Sequence, residues 1–195
     1  MLKSFKRKVD FLKENYFYPA LSKLEGKVLE IGFGDGESFN HYNPHCQIFA
    51  LEKSEEKIQQ LKNKDYLNIK FFKGEAEMLP FDDNFFDAVV VSLVLCSVDS
   101  LEKAIMEIER VLKPGGKFIM LEHTRSKTKI IGKLEDIFSK PHAWLFENCH
   151  LNRDPLLFIT KKENLTLMVK KELPYIFGRV MFATVQKTMG GKPSD

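Results

Sequence analysis

The motif Glu30-Ile31-Gly32-Phe33-Gly34-Asp35-Gly36 follows directly on the apolar pair Val28-Leu29. Glycine tolerates positive φ and leaves no Cβ between backbone and ligand, so three glycines at alternate positions predict a sharp turn that a ligand can approach closely. The acidic side chain of Glu30 is expected to face the same crevice. The sequence therefore predicts a strand, a ligand-binding turn and a helix; a glycine-rich turn without a ligand is the alternative.

The residue that follows Gly36 indicates which ligand this turn would hold. In a dinucleotide-binding fingerprint the third glycine falls three places after the second, where the helix N-terminus faces a pyrophosphate. Here that place is Glu37. A carboxylate there, with Glu30 and Asp35 close by, disfavours a diphosphate and favours a ligand that carries an amine and a sulfonium. S-adenosylmethionine is such a ligand.

A further acidic residue ends the next apolar segment. Residues 47–51 are largely apolar and lead into Glu52, sixteen residues beyond Gly36. This is close to the offset of about 20 residues at which an acid meets ribose hydroxyls in nucleotide-binding folds. Glu52 is therefore predicted to bind a ribose; the alternative is a solvated charge ahead of a helix that Ser54 caps.

Apolar strands and helical periodicities alternate along the rest of the chain. The apolar run 88–91 is typical of a parallel strand that is buried on both faces. It belongs to a predicted strand at 85–95, and further strands are predicted at 47–51, 69–72, 117–121, 165–173 and 179–186, with helices at 54–62 and after Ser100. This order predicts a doubly wound α/β sheet. A length of 195 residues with 44% hydrophobic content suits a single domain.

Five motifs together resemble those of the class I S-adenosylmethionine-dependent methyltransferases, in the branch of the ubiquinone and menaquinone methyltransferases. They are Glu30–Gly36, Glu52, Gly74–Phe81 with Asp82, the strand end Val91-Ser92, and Arg110–Gly116. The resemblance covers residues 26–121. Beyond it, Leu121-Glu122-His123, Ala143-Trp144 and Cys149–Asp154 resemble more narrowly the methyltransferase-like family seven proteins, which are alkyl thiol methyltransferases.

The resemblance implies a Rossmann-like, mostly parallel seven-stranded sheet that ends in an antiparallel hairpin. It also implies roles for individual positions. The methionine end of S-adenosylmethionine would lie on Glu30 and the backbone of Gly32, Phe33, Gly34 and Gly36, the ribose on Glu52, the adenine among Lys53, Gly74, Glu75 and Ala76, and the transferred methyl near Ser92 and Leu93. For Phe33, packing under the neighbouring helix is the alternative.

The segment 124–160 is the expected wall of an acceptor pocket, because ligands meet at the carboxyl ends of the strands in this fold. It contains apolar and aromatic side chains with few charges among them, namely Phe138, His142, Trp144, Leu145, Phe146, Leu156, Leu157 and Phe158. A packed helix is the alternative for these residues. We expect methyl transfer by in-line displacement to a small lipophilic thiol, phenol or quinol. A non-catalytic S-adenosylmethionine-binding regulatory module is the alternative, and a nicotinamide-dependent oxidoreductase is a less favoured one.

Whether a base is needed depends on the acceptor. A thiol with a pKa near 8.5 is partly ionised at neutral pH, whereas a phenol or a carbon acid needs its proton removed. His123, beside Glu122 after the fifth strand, and His150 are the candidate bases. For His123 the alternative is a structural hydrogen bond to a loop carbonyl.

The amino-terminal 25 residues form a segment of their own, ahead of the cofactor domain at 26–188 and a tail at 189–195. Apolar residues recur at helical spacing, and basic residues outnumber acidic ones. The segment is predicted to be an amphipathic helix that packs on the domain as a lid. A weak membrane-surface helix is the alternative.

Charge and cysteine content bear on the possible binding partners and the cellular location. A net charge of +3 is too small to predict nucleic-acid binding. The three cysteines lack the spacing of a metal or redox motif, so we expect no metal site and a reducing, cytoplasmic location. The sequence has no apolar run of the length that a membrane span needs.

Overall fold

The computed structural model describes residues 2–64, 66–145, 148–175 and 178–189. The helices are α1 (Leu2–Leu12), α2 (Tyr18–Leu21), α3 (Glu55–Lys62), α4 (Leu101–Val111), α5 (Lys129–Leu145) and α6 (Pro155–Ile159), with a π-helical link Lys13–Phe17 and a 3-10 helix Glu37–His41. The strands are β1 (Lys27–Ile31), β2 (Gln47–Glu52), β3 (Ile69–Lys73), β4 (Phe86–Ser92), β5 (Leu112–Thr124), β6 (Leu165–Tyr175) and β7 (Gly178–Lys187).

The strands form one sheet in the order β3-β2-β1-β4-β5-β7-β6. The first five strands of the chain pair in parallel. β7 is inserted antiparallel between β5 and β6. This confirms the predicted seven-stranded, mostly parallel sheet with an antiparallel carboxy-terminal hairpin.

Helices cover both faces of the sheet, so its central strands are buried on both sides. In β4, Val89 and Val91 pack with α4 on one face, while Ala88 and Val90 pack with α1 and α3 on the other. All four residues are at most 1% exposed. A strand enclosed on both faces cannot alternate apolar with polar residues, which is why 88–91 is a continuous apolar run.

The helix predicted after the glycine turn is only the five-residue 3-10 helix Glu37–His41. The hydroxyls of Ser38 and Tyr42 both donate to the carboxylate of Glu30 beneath the turn. Asn43 precedes Pro44, and a residue before proline is disfavoured in helical conformation. The helix therefore ends at His41, before this pair.

The amino-terminal helices bury the apolar face that their periodicity predicts. Val9, Leu12 and Phe17 are at most 6% exposed. The ring of Tyr16 stacks on Phe182 of β7, with centroids 5.9 Å apart. The segment is thus packed on the β5–β7 side of the domain. Among the described residues, no helix has both the length and the apolar character needed to cross a bilayer.

Candidate cofactor site

A cleft of about 260 Å³ opens where β1, β2, β3 and β4 end at their carboxyl termini. Parallel strands place the loops that follow them at one edge of the sheet, so segments distant in sequence meet there. Of the residues predicted to hold the cofactor, those that line the cleft are Gly32, Gly34, Glu52, Lys53, Gly74, Glu75, Ala76, Ser92 and Leu93. Nine of the seventeen described lining residues are therefore among those predicted from the sequence.

The glycine turn has the backbone that its sequence requires. Gly32, Gly34 and Gly36 all have positive φ, at 68°, 54° and 71°. The amide of Gly32 donates to the carbonyl of Leu51 at 2.8 Å, which ties the turn to β2. A Cβ at Gly32 would lie 2.4 Å from Cγ2 of Val94, whereas a Cβ at Gly34 would meet no atom within 4 Å. Gly34 therefore borders open space in the cleft.

Glu52 is a buried acceptor at the centre of the site, 6% exposed. Its Oε2 accepts from the amide of Gly34 at 3.3 Å. Its Oε1 accepts from the amides of Lys53 at 3.0 Å and Ser54 at 3.2 Å. The structure therefore does not support the alternative that Glu52 is a solvated charge. Carboxylate oxygens held in this way can still accept hydrogen bonds from ligand hydroxyls.

The opposite wall is formed where β4 ends. Leu93 has φ of +58°, a conformation that is uncommon outside glycine and asparagine. Its amide donates to the carbonyl of Leu121 on β5 at 2.8 Å, which holds the bend in place. Because of this bend, β4 stops at Ser92, three residues before the predicted end of the strand. Backbone strain of this kind is concentrated at functional sites.

Sequence reasoning missed several lining residues, namely Ile31, Leu51, Lys57, Glu77, Val94, Ser97, Val98 and Asp99. Glu77 joins two walls, because its Oε1 accepts from the amides of Asp99 at 2.6 Å and Ser100 at 3.1 Å. A usable signal was present, since Glu77 lies two positions after Glu75 and Asp99 directly precedes the cap of α4. The contact itself depends on the fold.

Three predicted cofactor residues do not line the cleft: Glu30, Phe33 and Gly36. Glu30 is 3% exposed, and it accepts from Ser38 Oγ at 2.5 Å and Tyr42 Oη at 2.8 Å. Phe33 packs against the rings of Phe39 and Phe71, the packing role that was its alternative. Glu30 therefore supports the turn from below instead of facing the crevice.

The buried carboxyl of Glu30 makes stability depend on pH. Burial raises the pKa of Glu30 from 4.5 to about 7, and the hydrogen bonds from Ser38 and Tyr42 oppose that rise. The folded state therefore holds this proton more tightly than the unfolded state. The corresponding stability is fully present below pH 4.5 and is lost as pH rises to about 7, a change of about 3 kcal/mol.

Glu30→Gln should remove this dependence, because glutamine does not titrate and both hydroxyls can accept as well as donate. As the pH rises from 4.5 to 8, the wild type should lose about 3 kcal/mol of its free energy of unfolding that the variant does not lose. Urea unfolding of both proteins at the two pH values measures the difference. Parallel stability curves would contradict the assignment.

Neither candidate base lies in the cleft wall. His123 is 2% exposed, and its ring lies beside Phe5 and Tyr175 under α1, with centroids 6.4 Å and 5.7 Å away. His150 lies outside the cleft, where its amide donates to the carbonyl of Cys96 at 2.8 Å. Burial lowers the pKa of His150. His123 was predicted to follow the fifth strand, but it lies within β5, where it pairs with Val180 of β7, and α1 encloses its ring.

The predicted apolar wall is also placed differently. Phe138 and Trp144 of α5, and Leu157 and Phe158 of α6, lie at the surface, and only Leu156 of the described side chains predicted there is buried. Phe146 lies outside the described residues, and the side chains of His142 and Leu145 are not described. None of the described residues of 124–160 lines the cleft, and neither do those of the amino-terminal segment predicted as a lid.

Behind the cleft, Glu122 and two cysteines form a cluster that the sequence did not predict. Glu122 Oε1 accepts from the amides of Val94 at 2.8 Å and Leu95 at 2.9 Å, and burial raises the pKa of this carboxyl well above its usual range. The thiols of Cys96 and Cys149 contact each other, which raises the pKa of the Cys96 thiol and lowers that of Cys149. Glu122 therefore anchors the loop that follows β4.

The fold and the cleft together match the class of Rossmann-like methyltransferases that the motifs predicted. A family model described as a methyltransferase domain matches residues 29–120. Thiol S-methyltransferase TMT1B of Rattus norvegicus is 32% identical over 77% of this chain and 67% of its own. The ubiquinone/menaquinone biosynthesis C-methyltransferase UbiE of Hahella chejuensis is 40% identical over 57% of this chain and 49% of its own. The structure of the YcgJ protein from Bacillus subtilis superposes with a TM-score of 0.73 at 16% identity, covering 95% of this chain and all of that one.

The chain belongs to the class I S-adenosylmethionine-dependent methyltransferases, and its cofactor is S-adenosylmethionine. It spans about half the length of several curated relatives that it matches. The residues of the cleft fit this cofactor. Glu52 offers a buried acceptor for ribose hydroxyls, and the space beside Gly34 is open where a Cβ would otherwise project.

Proposed function

We propose that the chain transfers the methyl group of S-adenosylmethionine to a small lipophilic acceptor, and that this acceptor is a thiol. The observation that carries the choice is the lining of the cleft. At the end of β4 the described wall consists of Ser92, Leu93 and Val94, and no histidine is among the described lining residues. A thiol suits such a wall, because a thiol with a pKa near 8.5 is partly ionised at neutral pH without a protein base.

When bound, S-adenosylmethionine supplies a methyl group on a sulfonium sulfur, which is a good leaving group. A thiolate acceptor, its proton released to solvent, would receive this methyl group, and S-adenosylhomocysteine would leave. The chain's part is to hold the reactants in line. Glu52 and the glycine turn hold the cofactor, and the bend at Leu93 shapes the wall beside the acceptor. Positioning alone can supply several kcal/mol of the barrier.

The names of the relatives support a small-molecule acceptor but do not distinguish a thiol from a quinol. TMT1B carries the name of a thiol S-methyltransferase, whereas UbiE is named a C-methyltransferase of ubiquinone and menaquinone biosynthesis. Both names point to small molecules. A quinol remains the second candidate, and its carbon or oxygen would need a base; the described wall holds carboxylates and lysines but no histidine.

The test is turnover of a panel of alkyl thiols, phenols and quinols, with formation of S-adenosylhomocysteine as the readout. We expect turnover of thiols, with a rate that rises with pH and levels off at the pKa of the acceptor thiol, about 8.5 for an ordinary one. An acceptor thiol of lower pKa should shift the profile to lower pH by the same amount. Glu52→Ala serves as the control that lacks the cofactor contact.

The other possible outcomes would support a different mechanism, acceptor, function or cofactor. A pH profile that stays fixed when the acceptor is changed would indicate a titrating protein base and contradict the proposal. Turnover of quinols alone would favour the second candidate. Binding of S-adenosylhomocysteine with no turnover of any acceptor would indicate a regulatory binding module, and binding of NAD in its place would overturn the cofactor itself.

A further inference from the structure

Helix α5 is amphipathic, but its polar side faces the domain, whereas an ordinary surface helix turns its apolar side inward. The residues it turns toward the domain are small or polar: Gly132 is buried, and Glu135 and Ser139 are 0% and 3% exposed. Glu135 accepts from the amide of Ser126 at 2.9 Å, and Ser139 donates to Asn152 at 2.9 Å. Polar contacts therefore attach this helix, and its apolar residues are left for the other side.

The outward side of α5 is an apolar stripe. Its exposed side chains are Ile130 (74%), Leu134 (39%), Ile137 (67%), Phe138 (53%) and Trp144 (86%). These positions, together with exposed Pro141, recur at three- or four-residue steps, so they share one face of a helix with about 3.6 residues per turn. Contiguous exposed apolar surface of this kind marks a protein or membrane interaction site.

The charges beside the stripe indicate what covers it. Lys129 and Lys133 are exposed on the same helix. The exposed acid Asp136 is paired with Arg125 at 2.5 Å, and Glu135 is buried. The described surface around the stripe is therefore basic. A second copy of the chain would present the same basic flank in a symmetric contact, which is unfavourable. An anionic surface is complementary.

We infer that α5 docks this domain on an anionic lipid bilayer, with its apolar stripe buried in the headgroup region and its lysines among the headgroups. A helix with a broad apolar face that includes tryptophan and phenylalanine, and with flanking lysines, is the type that lies in the plane of a membrane interface. This inference goes beyond the proposed methyl transfer, and it would hold whatever the acceptor is.

The structure also separates α5 from the amino-terminal helix, which was the membrane contact considered from sequence. The apolar face of α1 is packed on the domain, and of its large apolar side chains with described exposure only Phe11 is exposed, at 49%. Its outward face therefore carries Lys3, Lys6 and Arg7 with a single aromatic ring. Surface charge without an apolar face attracts a bilayer but does not insert into it.

Trp144 allows a direct test, because it is the only tryptophan of the sequence. The full chain is mixed with vesicles of phosphatidylserine and phosphatidylcholine, or of phosphatidylcholine alone, and both tryptophan emission and vesicle co-flotation are measured. With the anionic vesicles we expect emission to shift to shorter wavelength and the protein to float. With phosphatidylcholine alone, binding should be at least about tenfold weaker.

Substitutions distinguish α5 from α1 as the membrane-binding surface. Ile137→Glu combined with Phe138→Glu should lower partition by at least about tenfold, since both side chains are exposed and their replacement leaves the core intact. Lys129→Gln with Lys133→Gln should lower it about thirtyfold at low salt. The matched controls are Leu67→Glu, at a fully exposed leucine elsewhere, and Lys3→Gln with Lys6→Gln on α1. Both controls should bind as the wild type does.

Three results would overturn the inference. The first is that the wild type stays in the soluble fraction with both kinds of vesicle. The second is that binding survives the α5 substitutions or is lost in the α1 control. The third is that the wild type is a dimer in solution and Ile137→Glu with Phe138→Glu makes it a monomer, which would assign the stripe to a second copy. None of these readouts depends on methyl transfer, so failure of the proposed function leaves this test intact.

Discussion

Replacing Glu52 by alanine should weaken binding of S-adenosylhomocysteine by about 5- to 150-fold, which corresponds to about 1–3 kcal/mol. The carboxylate is buried at the mouth of the turn, and it accepts from the amides of Gly34, Lys53 and Ser54. Its removal takes away the charged acceptor for the ribose and leaves these amides unpaired. Isothermal titration of the folded variant measures the loss.

Two further variants separate binding from folding. Glu52→Gln keeps the volume and one acceptor oxygen, so the amides of Lys53 and Ser54 can stay paired while that of Gly34 loses its acceptor. It should be destabilised less than Glu52→Ala and lose part of the affinity. Glu56→Ala removes an exposed carboxylate four residues away on α3 and should bind as the wild type does. Wild-type affinity in folded Glu52→Ala would mean that the ribose lies elsewhere.

Gly32→Ala should be the most destabilising single substitution in the turn, by about 2–5 kcal/mol. Two costs add. A residue with a Cβ in the left-handed region costs about 1–2 kcal/mol, and Gly32 has φ of +68°. The new Cβ would also lie 2.4 Å from Cγ2 of Val94, and forcing extra volume into a packed site costs about 1–3 kcal/mol. Urea unfolding gives the free energy directly.

Gly34→Ala is the matched comparison, because Gly34 has φ of +54° but no atom within 4 Å of its Cβ position. It should lose only the backbone cost of about 1–2 kcal/mol. Its Cβ would project into the cleft, however, so binding of S-adenosylhomocysteine should fall by about 5- to 150-fold. Equal stability of the two variants would show that Val94 moves aside, and unchanged binding by Gly34→Ala would place the ligand away from the turn.

The sheet and about half of the cleft wall could be predicted because their causes are local. A strand buried on both faces must be apolar throughout, as at 88–91, and a turn with three positive φ values selects glycine. Both requirements are written in consecutive residues. Glu52 was predictable for the same reason, since it ends a strand that points to the shared edge of the sheet.

The rest could not be predicted because it depends on contacts between distant segments. The carboxylate of Glu30 meets Ser38 and Tyr42 instead of the cleft, and the ring of His123 lies under Phe5. The sequence showed that the segment 124–160 is rich in apolar and aromatic side chains, but not which side of α5 faces the domain. Its polar residues form the attachment, so the aromatic side chains expected to line a pocket lie at the surface.

The antiparallel insertion of β7 has a consequence for the order in which the protein folds. β7 is the last described strand in the chain, yet it pairs with β5 along Lys117–Thr124, and its side chains enter both cores: Met181 and Val185 on one face, Val180 and Phe182 on the other. Neither hydrophobic layer can close before these residues have been synthesised. Pairing across such a sequence separation also slows folding. The nascent domain should therefore remain open, and dependent on protection from aggregation, until synthesis has passed β7.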